Sequence, residues 1–271
     1  MKIETLNRSA EARQVGIWWC LLFGTILVVS YGLSLLLPYV SEMSFRMDPA
    51  QTMREGFKLI AQRDFDSAEA LMTAVLQQDP EKHQAYHGRA MIYREQGRLD
   101  EALSAVEAAL QRRPEEPSYV RTKIGVLADL GRYDEAIQIC GQMLERKVKL
   151  DVFQLEMGNL YYRQQKWDQA LMPLKTALAL NPDNTEAERL LAYTYMCTNQ
   201  HAEAVVLWER LKTKDPGRAE YYYYLGLCLL DAGLDKQEAL RNLKSSARLD
   251  SENFDDKVAF QIRHRGLDRE P

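Results

Sequence analysis

Sulfur and imidazole are scarce in this chain, with four cysteines and four histidines in 271 residues. Cys20, Cys140, Cys197 and Cys228 contain no CxxC pair, which removes the common zinc and redox signatures. Three of them lie beyond residue 100, an odd number that argues against a complete disulfide framework. They are expected to be small buried apolar residues. His83 and His87 stand four apart, a metal-ligand spacing on a helix, but no further ligand follows at a matching interval. No metal site is expected there. Phosphate-cradling GxxxxGK[ST] and GxGxxG loops are missing, and so is a Gly-x-Ser-x-Gly elbow. No acid–base pair stands out among 39 carboxylates. The chain is therefore read as a non-enzyme, with no catalytic residue and no cofactor. Basic blocks are absent too. A net charge of −4, spread along the sequence, weighs against a nucleic-acid partner.

Charge is missing altogether from residues 14–41, a run of 28 residues between Arg13 and Glu42. Its core, GIWWCLLFGTILVVSYGLSLLL from Gly16 to Leu37, exceeds the roughly 20 apolar residues that a helix needs to cross a bilayer. Trp18, Trp19 and Tyr39 suit the two interfaces. The run is longer than a signal-peptide core, and no A-x-A site follows it. The expectation is a tail at 1–13, an uncleaved single span at 14–41 and a linker at 42–48. Lys2, Arg8 and Arg13 precede the span, while Arg46, Arg54 and Lys58 follow it. This balance favours a cytoplasmic N-terminus in a bacterial inner membrane, with the bulk of the chain in the periplasm. Unpaired cysteines lean the other way.

The remainder is periodic. Pro80, Pro114, Pro182 and Pro216 are separated by 34, 68 and 34 residues. In blocks starting at 49, 83, 117, 151, 185 and 219, the twentieth place is Ala68, Ala102, Ala136, Ala170 and Ala204, then Ala239 after one insertion. The eighth place is small in five of six blocks, namely Gly56, Ala90, Gly158, Ala192 and Gly226, with Ile124 the exception. Small residues at these two places let paired helices cross closely, and large residues around them fill the layers. Gly97, Gly131 and Gly233 suit left-handed helix stops. Asp100, Asp134 and Asp168 suit N-caps of the second helices. Phe254, Val258 and Ile262 form one apolar stripe on a charged helix, as expected of a terminal cap, with GLDREP a frayed tail.

Small-eighth, aromatic-eleventh, alanine-twentieth and proline-thirty-second at a 34-residue period resembles the tetratricopeptide repeat, over residues 49 to about 252. The resemblance implies an all-α, right-handed superhelical solenoid. Six helix-turn-helix repeats would span 49–252 and a capping helix 253–271, preceded by the transmembrane helix. It implies protein partners, bound as peptide or helical segments on a concave surface lined by the second, fifth, ninth and twelfth places of each first helix. The expected groove residues are Phe57, His87, Met91, Arg94, Arg121, Asn159, Tyr162, Arg189, Tyr193, Tyr223 and Tyr224. Aromatics and arginines are types that anchor interfaces.

Within AEYYYYLGLCLLDAG, Tyr221 is expected against the preceding block, Tyr222 between the paired helices, and Tyr223 and Tyr224 on or beside the groove. The alternative has all four in packing and cap contacts. The carboxylate clamp for heat-shock chaperones fails in every three-block window; Asn159 falls on its asparagine place, but Leu155 replaces the lysine. The implied role is a membrane-anchored scaffold in assembly of a membrane or envelope complex. Self-association is a rival, through Gly16, Gly24, Gly32, Ser30 and Ser34 on the span. A chaperone or accessory subunit is another.

Overall fold

A computed structural model of the chain describes residues 48–267. The expected tail, span and linker lie outside the described residues, except for Asp48. Among the described residues no helix is long and apolar enough to cross a membrane.

Thirteen helices and no strands make up the described residues. They alternate as first and second helices of hairpins: α1 (Pro49–Ala61), α2 (Phe65–Gln78), α3 (His83–Glu95), α4 (Leu99–Arg112), α5 (Pro117–Asp129), α6 (Tyr133–Glu145), α7 (Leu150–Arg163), α8 (Trp167–Leu180), α9 (Thr185–Cys197), α10 (His201–Lys214), α11 (Ala219–Asp231) and α12 (Lys236–Leu249). The last helix, α13 (Ser251–His264), stands alone. The chain divides into two compact units, residues 48–122 and 123–267, with the division inside α5. Each helix from α1 to α4 packs on its neighbour in sequence, and so does each helix from α6 to α13.

The alanine seam explains the stacking. Ala68, Ala102, Ala136, Ala170, Ala204 and Ala239 are all fully buried. Opposite them, the eighth-place glycines leave no room for a side chain. A Cβ on Gly158 would stand 2.5 Å from Leu174 Cγ, and one on Gly226 would stand 2.8 Å from Leu243 Cγ. Helix axes can approach this closely only where one surface is bare backbone, and the large twenty-fourth-place residue of the second helix fills the notch.

Every hairpin turn uses a left-handed residue at the fifteenth place. Gly97, Gly131 and Gly233 have φ of 75°, 76° and 67°, while Arg63, Gln165 and Asn199 hold 62°, 58° and 57°. The turn then closes on backbone carbonyls, as in Arg98 N–H to Tyr93 O at 2.8 Å. This closure starts the second helices two residues earlier than the aspartate pattern implies. Asp100, Asp134 and Asp168 are therefore first-turn residues, where their charge meets the helix dipole. The cap positions belong to Arg98, Arg132 and Lys166, none with a side-chain cap bond.

Residues preceding a block-ending proline are extended, as Pro requires: Asp79 has φ −136° and ψ 90°, and Asn181 has −137° and 86°. The third block lacks that proline. There α6 stops at Glu145, and Lys147 and Lys149 take positive φ of 56° and 40°.

At the C-terminal end, Phe254 and Val258 of α13 are buried against Tyr223 and Leu243, with Ile262 partly buried beside them. Leu267 joins this cluster, so the tail is not frayed at that residue: its N–H bonds Ile262 O at 2.9 Å. Cys140 and Cys228 are buried and Cys197 is exposed, against the expectation for the latter. Burial pushes both buried thiols up to about 12, which removes them as nucleophiles at neutral pH.

Candidate partner-binding surfaces

In residues 48–122 the first helices are joined by imidazole and hydroxyl groups. His83 Nδ1 lies 2.7 Å from the Tyr119 hydroxyl, and His87 Nε2 lies 2.8 Å from Thr122 Oγ1. Thr122 Oγ1 also donates to Ser118 O at 3.1 Å. Its single hydrogen is thus engaged, so the hydroxyl accepts from His87 and fixes the Nε2–H tautomer. The His87 ring packs 4.5 Å from Tyr119, and burial lowers its pKa to about 4. His87 therefore serves the contact between α3 and the first turns of α5 rather than presenting itself to a guest. Metal-ligand spacing at His83 and His87 resolves into two hydrogen bonds with α5, the first helix of the next hairpin.

Beside this contact a cleft of about 350 Å³ opens. Ile60, Phe65 and Met91 form its apolar wall. Arg63, Arg94 and Glu95 supply its charge, and Thr122 its far edge. Met91 and Arg94 are among the residues expected to face a partner; the structure adds Arg63 and Phe65 from the hairpin turn. Arg63 pairs with Glu95 at 3.5 Å, with both side chains about half exposed or more (70% and 49%). Phe57 is half-buried on α1, and Arg121 is exposed on α5.

In residues 123–267 a row of tyrosine and tryptophan rings runs along the first helices. Tyr162 lies 4.9 Å from Trp167 and 6.4 Å from Tyr193. Tyr193 meets both Trp208 and Tyr224 edge-on at 4.9 Å, and Tyr224 stacks on Trp208 at 5.4 Å. Edge-to-face pairs of this kind are favoured by ring quadrupoles. Trp208 is fully buried; Tyr162, Tyr193 and Tyr224 are half-buried. The Tyr193 hydroxyl donates to Glu220, and Arg189 reaches the same carboxylate at 4.0 Å while pairing with Glu186 at 2.7 Å. Burial, followed by the Glu220 contact, raises the Tyr193 pKa, so the phenol stays protonated. Asn159 is half-buried on α7, three residues from Tyr162 and thus on the same helix face.

Tyr221 packs against Trp208 of the preceding hairpin, at 5.9 Å, as the spacing implies. Tyr222 is half-buried under Lys212. Tyr223 corrects the groove expectation: it is only 8% exposed, and its ring lies 5.2 Å from Phe254 of α13. The cap helix covers it, because the last hairpin has no following hairpin to do so.

Glu220 and Trp208 are absent from the residues expected at the surface, although both occupy telling places. Glu220 is a second-place residue of its block, one of the inner-surface places, and Trp208 a twenty-fourth. The second-place pattern alone points to Glu220.

The family model described as "Tetratricopeptide repeat" matches residues 59–124 and 163–228. No curated protein matches the chain significantly in sequence. Among solved structures, PilW, described as a widely conserved type IV pilus biogenesis factor, matches with a TM-score of 0.69 at 19% identity, covering 78% of this chain and 98% of that one. PilF of Pseudomonas aeruginosa matches at 0.67 and 15% identity, covering 82% and 99%. YrrB, described as a TPR protein with an unusual peptide-binding site, matches at 0.55 and 19% identity, covering 71% and 97%. Identities this low speak for the fold alone. Residues 59–124 and 163–228 are tetratricopeptide-repeat sequence, set in an all-α architecture of stacked helical hairpins.

Proposed function

We propose that this chain is a membrane-anchored adaptor that holds a protein segment against the inner faces of its first helices, without catalysis of its own. One observation carries the reading. Tyr162, Tyr193 and Arg189 form a half-buried aromatic and cationic surface on consecutive first helices, at the twelfth, ninth and fifth places of their blocks. These residue types recur as interface anchors. A peptide-binding site belongs to YrrB, and a part in pilus biogenesis belongs to PilW. Both properties agree with a segment-binding part in an envelope assembly. The uncharged run at 14–41 is what supports anchoring, with the N-terminus inside.

A photoreactive residue at Tyr162 or Met91, used in cells, should trap one discrete partner. The same residue at Met172, 68% exposed on a second helix, should trap none. Capture only from Met172 would move the site to the outer face and end the proposal. Alkaline extraction tests the anchor separately. The full chain should stay in the membrane pellet, and a chain starting at residue 48 should be released from it.

A further inference from the structure

Second helices change the sign of their charge along the chain. α2, α4 and α6 each carry a negative excess, whereas α12 sets Lys236, Arg241, Lys244 and Arg248 against Glu238, an excess of three positive charges. Arg241, Lys244 and Arg248 follow one another at intervals of three and four, so they share one flank of the helix, and all three are exposed. The opposite side of α12 is fixed in the fold by the buried Ala239, Asn242, Leu243 and Ser246. Among the described residues no carboxylate forms an ion pair with any of the three cations. Glu238 precedes Arg241 by three, the spacing that pairs Glu186 with Arg189 and Asp215 with Arg218, yet the two stay apart. Asp235 is taken up by the N-cap, accepting from Gln237 N–H at 2.8 Å and Glu238 N–H at 3.0 Å, and Arg241 adds to these bonds only at longer range in holding its carboxyl low. Asp250 caps α13 through Asn253 N–H at 3.2 Å. Leu234 and Leu249 stand at the two ends of α12, 48% and 47% exposed.

From this we infer that the α12 flank docks on an anionic lipid surface, with Arg241, Lys244 and Arg248 among the phosphates and Leu234 and Leu249 toward the acyl boundary. A protein partner fits the flank less well. Protein interfaces keep apolar residues at the centre and charge at the rim. Here the order is reversed, because Gln237, Arg241, Lys244 and Arg248 make up the flank and the leucines lie beyond its ends. A headgroup layer asks chiefly for clustered positive charge, with apolar contact at its margin. The flank belongs to a second helix and shares no residue with the inner-face surface of Tyr162, Tyr193 and Arg189. The inference therefore goes beyond the adaptor reading and takes from it only a membrane close at hand.

The test uses the full chain with a fluorophore at Gln237→Cys, in a background of Cys20→Ser and Cys197→Ser, since Cys140 and Cys228 are buried. The chain is mixed into vesicles of phosphatidylcholine, with or without about 30% phosphatidylglycerol, that carry a quencher on a few lipid headgroups. Quenching should be at least threefold stronger with phosphatidylglycerol, and about 0.5 M sodium chloride should remove the difference. The triple variant Arg241→Gln, Lys244→Gln, Arg248→Gln should lose it with helical circular dichroism unchanged, because all three positions are exposed and glutamine is a good helix former. Arg241→Lys with Arg248→Lys should keep it, because a headgroup layer reads charge rather than guanidinium shape. Equal quenching in the two vesicles, or a glutamine variant that behaves as the wild type does, overturns the assignment. So does capture of an acidic protein by a photoreactive residue at Gln237 in cells when quenching ignores lipid charge. If alkali releases the chain but the lipid dependence holds, the anchor falls and this face stands. If the chain stays in the pellet and quenching ignores lipid charge, the anchor stands and this face falls.

Discussion

Residues 48–122 and 123–267 use one repeat scaffold and join its first helices in different ways. The first unit bridges α3 to the opening of α5 with imidazole, phenol and hydroxyl groups, and leaves an arginine-edged cleft open beside them. The second bridges α7, α9 and α11 with tyrosine and tryptophan rings and closes the end of the row with α13. Hydrogen bonds to a histidine depend on its protonation state, whereas ring contacts between protonated phenols do not change across the neutral range. The two units should therefore answer differently to core truncation, to acid and to backbone changes.

Truncation gives the largest effect. Trp208 is fully buried and contacts Tyr193, Tyr221 and Tyr224. Trp208→Ala should cost about 3–5 kcal/mol by urea unfolding, from lost burial and the cavity left behind. In the first unit, Tyr119→Phe keeps the ring and deletes only the His83 bond, at a cost of about 1 kcal/mol. Near-equal losses from the two changes would show that the aromatic row is not what holds the second unit.

Acid comes next and acts on the first unit. Burial holds His87 at about 4, below the 6.5 of an unfolded chain. The unfolded state binds the extra proton first, so this contribution is whole above pH 6.5 and drains away as the pH falls from there toward 4. The loss amounts to at most about 3 kcal/mol. Urea midpoints of the wild type should drop between pH 7 and 4.5, and His87→Gln should show a shallower slope. Parallel slopes would place the acid sensitivity elsewhere.

The seam separates the units by geometry. A Cβ on Gly158 meets Leu174 Cγ, near the root of a fully buried side chain, at 2.5 Å and the fixed Leu174 backbone nitrogen at 3.3 Å. On Gly56 it meets Met72 Cε at 2.6 Å, the far end of a flexible side chain. Gly158→Ala should cost about 2 kcal/mol, in line with overpacking elsewhere. Gly56→Ala should stay within about 1 kcal/mol, because the helix-propensity gain of alanine offsets a small shift of Met72. Thermal melts of the two variants decide it.

These contrasts also mark how far a reading of the sequence reaches. Alanine at every twentieth place and small residues at the eighth are legible because close crossing has one solution in side-chain size, and it recurs every 34 residues. Positive φ at Gly97, Gly131 and Gly233 is legible for the same reason. Pairings that occur once are not. Glu188 stands at a between-helix place and is fully buried, which its sequence neighbourhood does not explain. The structure supplies Arg210 and Lys214 from α10, the latter at 2.8 Å. Likewise His83 and His87 find Tyr119 and Thr122 some 35 residues away, and spacing on one helix says nothing of that. Repeat place alone sends Tyr223 to the groove, but the last repeat has a cap where others have a successor. Periodicity reveals what is shared between repeats; ends and unique pairs must be seen.

The smallest effect is the sharpest comparison, because it changes the same place in both units. Arg63 and Gln165 each hold a left-handed φ, 62° and 58°, where three other hairpins use glycine. A residue with a Cβ loses roughly 1 kcal/mol there. Arg63→Gly and Gln165→Gly should thus each raise stability by a few tenths up to about 1 kcal/mol, the gain reduced by the greater freedom of glycine in the unfolded chain. Equal thermal shifts would show that both residues are retained at a cost to the fold.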